Sequence, residues 1–386
     1  MAYDDDDDVR SIMSSVSHLS TTSDYDEGGL DLETPLLQAI SDIEAKRSEA
    51  RARGLESLAD LLSRYVYPEE VLSSRLGDLM DVLRKAAKSA DHMAKTFHII
   101  TLLHLQPVVE DMEAYYEQLR NRCEDSMLDP SLDTEPRSQM AVTLAIMSFV
   151  SELHGDDIEE QMELLSDVFT DDDQEASLIA ICIEAWSLLL IKLSSHDACK
   201  VAHKLSHFFH RIIGETGTDR NVLFAAARAL VLLNDAQLEA HEVPAEGMDD
   251  VARVFQAYAK ESNKGKSKKD LKEQRLKFRQ LLEGIETGRC PSTRLALGHS
   301  ETVVLDSWSE YMILDNVRAV LRGGMQHHLR HNQVVRDLLG LGPVQLVPQA
   351  LSREDKANLK AIREDNRLNR QADRRAARSD KWDDGF

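Results

Sequence analysis

The sequence predicts an all-α protein, an α-solenoid followed by a long basic C-terminal helix. Apolar residues keep helical spacing from about residue 35 to residue 260, joined by short polar connections. Near the C-terminus a cation recurs every 3 or 4 residues. Signals for β-strands are nearly lacking, with Thr302 to Leu305 the one short β-branched run.

Residues 1–33 hold Asp4 to Asp8, a scatter of Ser and Thr, and few large apolar side chains. Such a segment cannot bury enough surface to offset its ordering entropy, so it reads as a disordered acidic tail. Its opening lacks the cationic and apolar regions of a signal peptide. Thr34-Pro35 then reads as a cap followed by Pro at the first helical position.

Leu55, Leu58, Ala59, Leu61 and Leu62 form the first clear helical stripe. After Pro68 come Val71, Leu72, Leu76, Leu79, Met80 and Leu83, and after Ser89 come Met93, Phe97, Ile100 and Leu103. Further helices are predicted around 136–153, 157–169, 175–193, 197–213 and 219–233. They are separated by polar turns such as Asp129-Pro130, Gly155-Asp156 and Asp171 to Asp173. Short connections make neighbours antiparallel, and pairs recurring about every 40 residues suggest an armadillo- or HEAT-like repeat domain over 34–260. A compact irregular bundle is the alternative. Ala141 to Val150 and Ser177 to Leu193 are the most apolar stretches. The first is too short to span a bilayer and the second is broken by Glu184 and Lys192, so both read as core helices.

Beyond Pro244, helices are predicted from Glu246 to Lys260, from a capping-box-like Ser267 to about Glu286, from Asp306 to Arg322 and from Gln326 to Leu338. Gly288 to Gly298 reads as a loop. Residues 261–343 are thus a second helical region, and 344–386 a basic helix and tail.

The net charge of −22 conceals a polarity. Residues 251–386 hold 26 Lys and Arg against 18 Asp and Glu, a balance of +8, which leaves −30 on residues 1–250. A body that repels nucleic acid would carry a tail that attracts it. Arg353, Lys356, Lys360, Arg363, Arg367, Arg370, Arg374, Arg378 and Lys381 step by 3 or 4 residues and share one slowly drifting helix face. With Arg375, they are candidate RNA-binding residues, meeting phosphates without reading bases. A solvated charged helix is the plain alternative. A second cationic stretch adds Lys264, Lys266, Lys268, Lys269, Lys272, Arg275, Lys277 and Arg279 as candidates, against an interdomain linker or nuclear-localisation-like signal.

No metal or cofactor is expected. Cys199, His203, His207 and His210 share a helix face, but one helix offers two such ligands to a tetrahedron rather than four, so a packed interhelical surface is preferred. His327, His328 and His331, beside Arg330 and Asn332, suit polar contact with RNA or protein. The four cysteines show no CxxC spacing and suit a reducing compartment, most of them buried. No nucleophile elbow, Walker loop or dinucleotide fingerprint occurs, so no enzyme is expected.

From Tyr258 to Arg279, and then through Val304-Leu-Asp-Ser-Trp308, Gly323, His328-Leu329, Asn332 and Leu341-Gly-Pro343, the chain resembles the C-terminal region of the interferon-related developmental regulator family. The upstream helices resemble that family's armadillo-like body more loosely, so the resemblance spans roughly 35–380. It implies a non-catalytic regulator, cytoplasmic and in part nuclear. One branch sits across the P and E sites of inactive 80S ribosomes and inserts a C-terminal helix into the mRNA channel. The implied partners are therefore rRNA and ribosomal proteins, with no membrane or small-molecule substrate. The alternative implied by the family is a nuclear transcriptional co-regulator scaffold bound to corepressor and deacetylase complexes.

Overall fold

A computed structural model of the chain describes residues 31–260, 268–287, 290, 293–298 and 301–344. In chain order the helices are α1 (Glu33–Glu44), α2 (Ser48–Arg64), α3 (Glu69–Ser73), α4 (Leu76–Ala86), α5 (Ala90–His104), α6 (Val109–Glu113) and α7 (Tyr116–Leu128). They continue as α8 (Thr134–Val150), α9 (Asp156–Thr170), α10 (Ala176–Leu190), α11 (Ser195–Gly214), α12 (Arg220–His241), α13 (Met248–Lys260) and α14 (Lys268–Thr287). A hairpin of β1 (Thr293–Gly298) and β2 (Glu301–Leu305) follows, then α15 (Trp308–Leu321), α16 (Met325–His331) and α17 (Gln333–Leu338).

The architecture is the predicted all-α solenoid. Helices α2, α5, α8, α10, α12 and α14 stack in one row, each against the next. They begin at residues 48, 90, 134, 176, 220 and 268, steps of 42, 44, 42, 44 and 48 residues. Each pairs with the helix of a second row, respectively α1, α4, α7, α9, α11 and α13. Buried polar contacts repeat at the same separation. Thr101 and Thr143 hydroxyls meet at 2.9 Å, and Gln106 Nε2 donates to the Leu62 carbonyl at 2.8 Å. Lys192 Nζ donates to the Ser148 carbonyl at 3.2 Å and to the Phe149 carbonyl at 3.3 Å, covering the open end of α8.

Two core expectations hold. Helices α8 and α10, the most apolar stretches, lie inside the first row and are buried on nearly every side. The reason is a third layer: α15 crosses the free face of that row and touches α2, α5, α10 and α12. Arg228 of α12 fastens it, reaching Glu184 of α10 at 3.4 Å and Asp315 of α15 at 3.3 Å. Aromatic clusters bind the rows to each other. Phe169, Trp186 and Phe209 join α9, α10 and α11, whereas Phe255, Tyr258, Phe224 and Phe278 join α12, α13 and α14.

The C-terminal helices return to the start of the solenoid. Any side chain at Gly324 would run into the Ser63 carbonyl at the end of α2, and one at Gly284 into the Trp308 ring. Asn332 is fully buried; its Nδ2 donates to the Leu105 carbonyl at 2.5 Å and lies 2.9 Å from His328 Nδ1. Its Oδ1 accepts the Val334 amide and so caps α17. Arg336, also buried, donates to the Leu329 and Gly342 carbonyls and pins the chain end. The described residues belong to one compact unit that ends at Val344.

Several local readings are corrected. Thr34 is not the cap of α1; Asp31 Oδ1 accepts the Thr34 amide at 3.0 Å. Residues 293–298, expected within a loop, pair with 301–305 because Leu295 and Leu297 alternate with polar or small neighbours. The helix expected over 326–338 breaks at Asn332, whose side chain replaces the backbone bond. Among the histidines of α11, His203 and His207 face solvent, and the packed surface is that of Phe208 and Phe209. His328 is interior and not an outward polar contact.

Replacing Asn332 with Ala removes the cap and leaves the Leu105 carbonyl buried without that donor. The expected cost is about 2–4 kcal/mol in urea unfolding; a loss under about 0.5 kcal/mol would contradict the closure described. Burial also holds three histidines neutral, with His98 and His104 pushed down to about 4 and His328 to about 3. Their contribution is complete above the unfolded value near 6.5 and is lost as pH falls toward the folded values. Asp235, pushed up to about 7 by burial, works in the opposite sense: its contribution is present at low pH and fades as pH rises through 7. The stability gap between wild type and His104→Leu should therefore shift by about 1.4 kcal/mol in favour of the variant between pH 7 and 5.5. Unfolding curves at both pH values check this, and a pH-independent gap would refute it.

Candidate nucleic-acid interface

The basic segment before residue 280 is placed on α14. Phe278, Leu281 and Ile285 turn into the core, with Phe278 stacked on Tyr258 at 5.3 Å and on Phe224 at 4.4 Å. Positions 268, 272, 275 and 279 share a different face, because a step of 3 or 4 residues returns to the same side of a helix. Lys277 and Arg279 are exposed on either side of the buried Phe278. Lys268, Lys269, Lys272 and Arg275 lie on the same helix by their backbone positions. The half of this motif that carries Phe278 is therefore packing, with Lys277 and Arg279 exposed beside it.

Lys264 and Lys266 fall outside the described residues, as does the whole stripe Arg353, Lys356, Lys360, Arg363, Arg367, Arg370, Arg374, Arg375, Arg378 and Lys381. What the structure does describe is the point from which the stripe departs. The Val344 amide donates to Gln333 Oε1 at 2.9 Å, and the Leu341 amide donates to the Arg336 carbonyl at 2.8 Å. The chain is thus held firmly to the body up to residue 344.

The body adds a charge pattern that net charge alone did not reveal. The turns leading into α2 and α5 carry Lys46, Arg47 and Lys88, all exposed, with exposed Lys85 close by in sequence. The equivalent turns before α8, α10 and α12 carry Asp129 and Asp133, then Asp171, Asp172, Asp173 and Glu175, then Glu215 and Asp219. Helices α2 and α5 run side by side, with Ser48 Oγ 3.4 Å from His92 Nε2 and Lys95 paired with Glu56 at 2.6 Å. The first two of these turns are consequently neighbours, and the described turns of this edge pass from basic before α2 and α5 to acidic before α8, α10 and α12. Tallying charge by equivalent turns, in place of by chain halves, is the signal that finds it.

The acidic turns have an ordinary structural role. Asp171 accepts from the Asp173 amide at 3.0 Å and from Gln174 Nε2 at 2.6 Å, bonds that hold its carboxyl below the usual range. Among the described residues no group of three His, Cys, Asp or Glu side chains could hold a metal ion, and no helix is long and apolar enough to cross a membrane. Cys123 and Cys182 are fully buried, and Cys199 and Cys290 are partly so. Burial pushes the Cys182 thiol up to about 12.

The chain is 26% identical over 371 residues to human interferon-related developmental regulator 1, covering 88% of this chain and 80% of that one. It is 26% identical over 343 residues to mouse interferon-related developmental regulator 2, covering 83% and 75%. Mouse interferon-related developmental regulator 1 is 27% identical over 371 residues, covering 88% and 81%. Among solved structures, a crystal structure of an engineered protein aligns with a TM-score of 0.39 at 17% identity, over 67% of this chain and 98% of that one. The sequence profile of the interferon-related developmental regulator (IFRD) family matches residues 9–286, so the likeness extends well into the repeat body. On that match, the chain belongs to the interferon-related developmental regulator family.

Proposed function

We propose that the protein is a ribosome-binding translational silencing or hibernation factor. In this reading the solenoid occupies the tRNA P and E sites of an inactive eukaryotic ribosome, and the basic C-terminal helix enters the mRNA channel. The observation that carries it is the stripe of nine cations from Arg353 to Lys381 on one helical face. A helix of that kind cannot bury itself, and phosphates on several sides would neutralise it along its length. The body's acidic turns suit this division of labour, because they discourage indiscriminate RNA binding by the rest of the surface. No reaction is involved; occupancy excludes tRNA and mRNA.

A co-regulator scaffold would need a surface for partner peptides. The face of a solenoid row that could offer one is covered here by α15, which weakens that alternative. Replacing Arg363, Arg367, Arg370 and Arg374 together with Glu is expected to abolish co-sedimentation with ribosomes at moderate salt. Wild-type protein should be released progressively as salt rises, as counterion release requires. Pelleting of the quadruple variant at the wild-type level would remove the helix as anchor.

A further inference from the structure

We infer that the outward face of α16, together with Tyr65, is a second RNA contact that stacks an unpaired base and meets its phosphates. The inference rests on the RNA-binding reading above but uses different residues. Helix α16 divides its side chains cleanly. Met325, His328 and Leu329 turn inward, and His328 and Leu329 help carry the closure onto α2 and α5. His327, Arg330 and His331, at i, i+3 and i+4, share the opposite face and are each partly exposed.

The rings on that face form a short stair. The Tyr65 and His327 centroids are 6.0 Å apart at 77°, and those of His327 and His331 are 4.7 Å apart at 38°. Tyr65 is partly exposed and firmly placed, because its carbonyl accepts from Gln106 Nε2 at 3.0 Å. Arg64 lies next to it in sequence, with a side chain 62% exposed and paired with the surface carboxylate of Asp60 at 3.0 Å. A surface pair of this kind is weak, and a phosphate could take its place. Arg330 is oriented by its Nε bond to the Leu297 carbonyl at 2.8 Å.

Rings in series with guanidinium groups at their borders match single-stranded nucleic acid, whose bases supply flat faces and whose backbone supplies anions. An acidic protein segment would satisfy the arginines and leave the rings without a counterpart.

The test uses full-length protein and a fluorescent single-stranded oligouridylate, with binding read by anisotropy and contacts mapped by ultraviolet crosslinking. Tyr65→Ala with His331→Ala should weaken binding roughly ten-fold, while Tyr65→Phe with His331→Phe should stay near wild type. Crosslinks should fall on peptides containing Tyr65 or His331. If the alanine pair loses its fold, Arg64→Glu, on an exposed side chain, gives the same reading and should also weaken binding. Repeating the series on the Arg363, Arg367, Arg370 and Arg374→Glu background separates the two contacts: oligouridylate binding that survives there and vanishes with the alanine pair belongs to this patch, whatever happens to ribosome association. Unchanged binding by both Arg64→Glu and the alanine pair, or displacement of the oligonucleotide from neither ring by crosslinking while poly-glutamate binds there, would overturn the inference.

Discussion

Arg228 is the group on which the arrangement turns. It lies between Glu184 and Asp315, over the ring of Tyr311 at 5.8 Å, and so ties the first row of helices to α15. Glu184 is partly buried, its side chain 26% exposed, and desolvation raises its carboxyl against the opposing pull of Arg228. A partly buried pair of this kind adds little net stability over an apolar substitute, but removing one partner leaves the other short of its counter-charge. Its physical consequence is orientation. The apolar row is covered by α15, and Arg228 joins the two at Glu184 and Asp315.

That closure accounts for how the residues of the C-terminal region are used. Trp308, His328, Asn332 and Arg336 are each buried. Asn332 ties the returning chain to the end of α5, more than 200 residues earlier in sequence, Arg336 pins the chain end locally, and Trp308 packs against Gly284 of α14. In the proposed reading, contact with a polyanion falls to the outward face of α16, the basic turns before α2 and α5, and the cations of residues 353–381.

Much of the fold was legible because helices advertise themselves locally. The spacing of Leu55, Leu58 and Leu62, and the continuous apolar runs of α8 and α10, announce both the elements and their depth. The repeat of 42 to 48 residues was close to the period of about 40 read from the pattern. The third layer was not legible, since nothing in the sequence of α15 states that it will cross four helices. Polar residues were the other weakness. His328 and Asn332 look like surface residues in a sequence, and only the carbonyls at the ends of α2 and α5, brought to them by the fold, make them interior. The hairpin was missed because Pro291 and the glycines around it outweighed the short alternation of Leu295 and Leu297. For the candidate interface the position is reversed: its cationic periodicity was plain in the sequence, while the ring stair of Tyr65, His327 and His331 joins residues some 260 positions apart and needs the fold to be seen.

The central claim is that a folded body carries a cationic helix into an RNA-lined path. The most direct measurement is electron cryo-microscopy of ribosomes purified with the native protein attached. Helical density for residues 353–381 within the mRNA channel, continuous with the solenoid across the P and E sites, is the predicted result. A ribosome-bound solenoid with an empty mRNA channel, or preparations in which the protein never accompanies ribosomes, would contradict it.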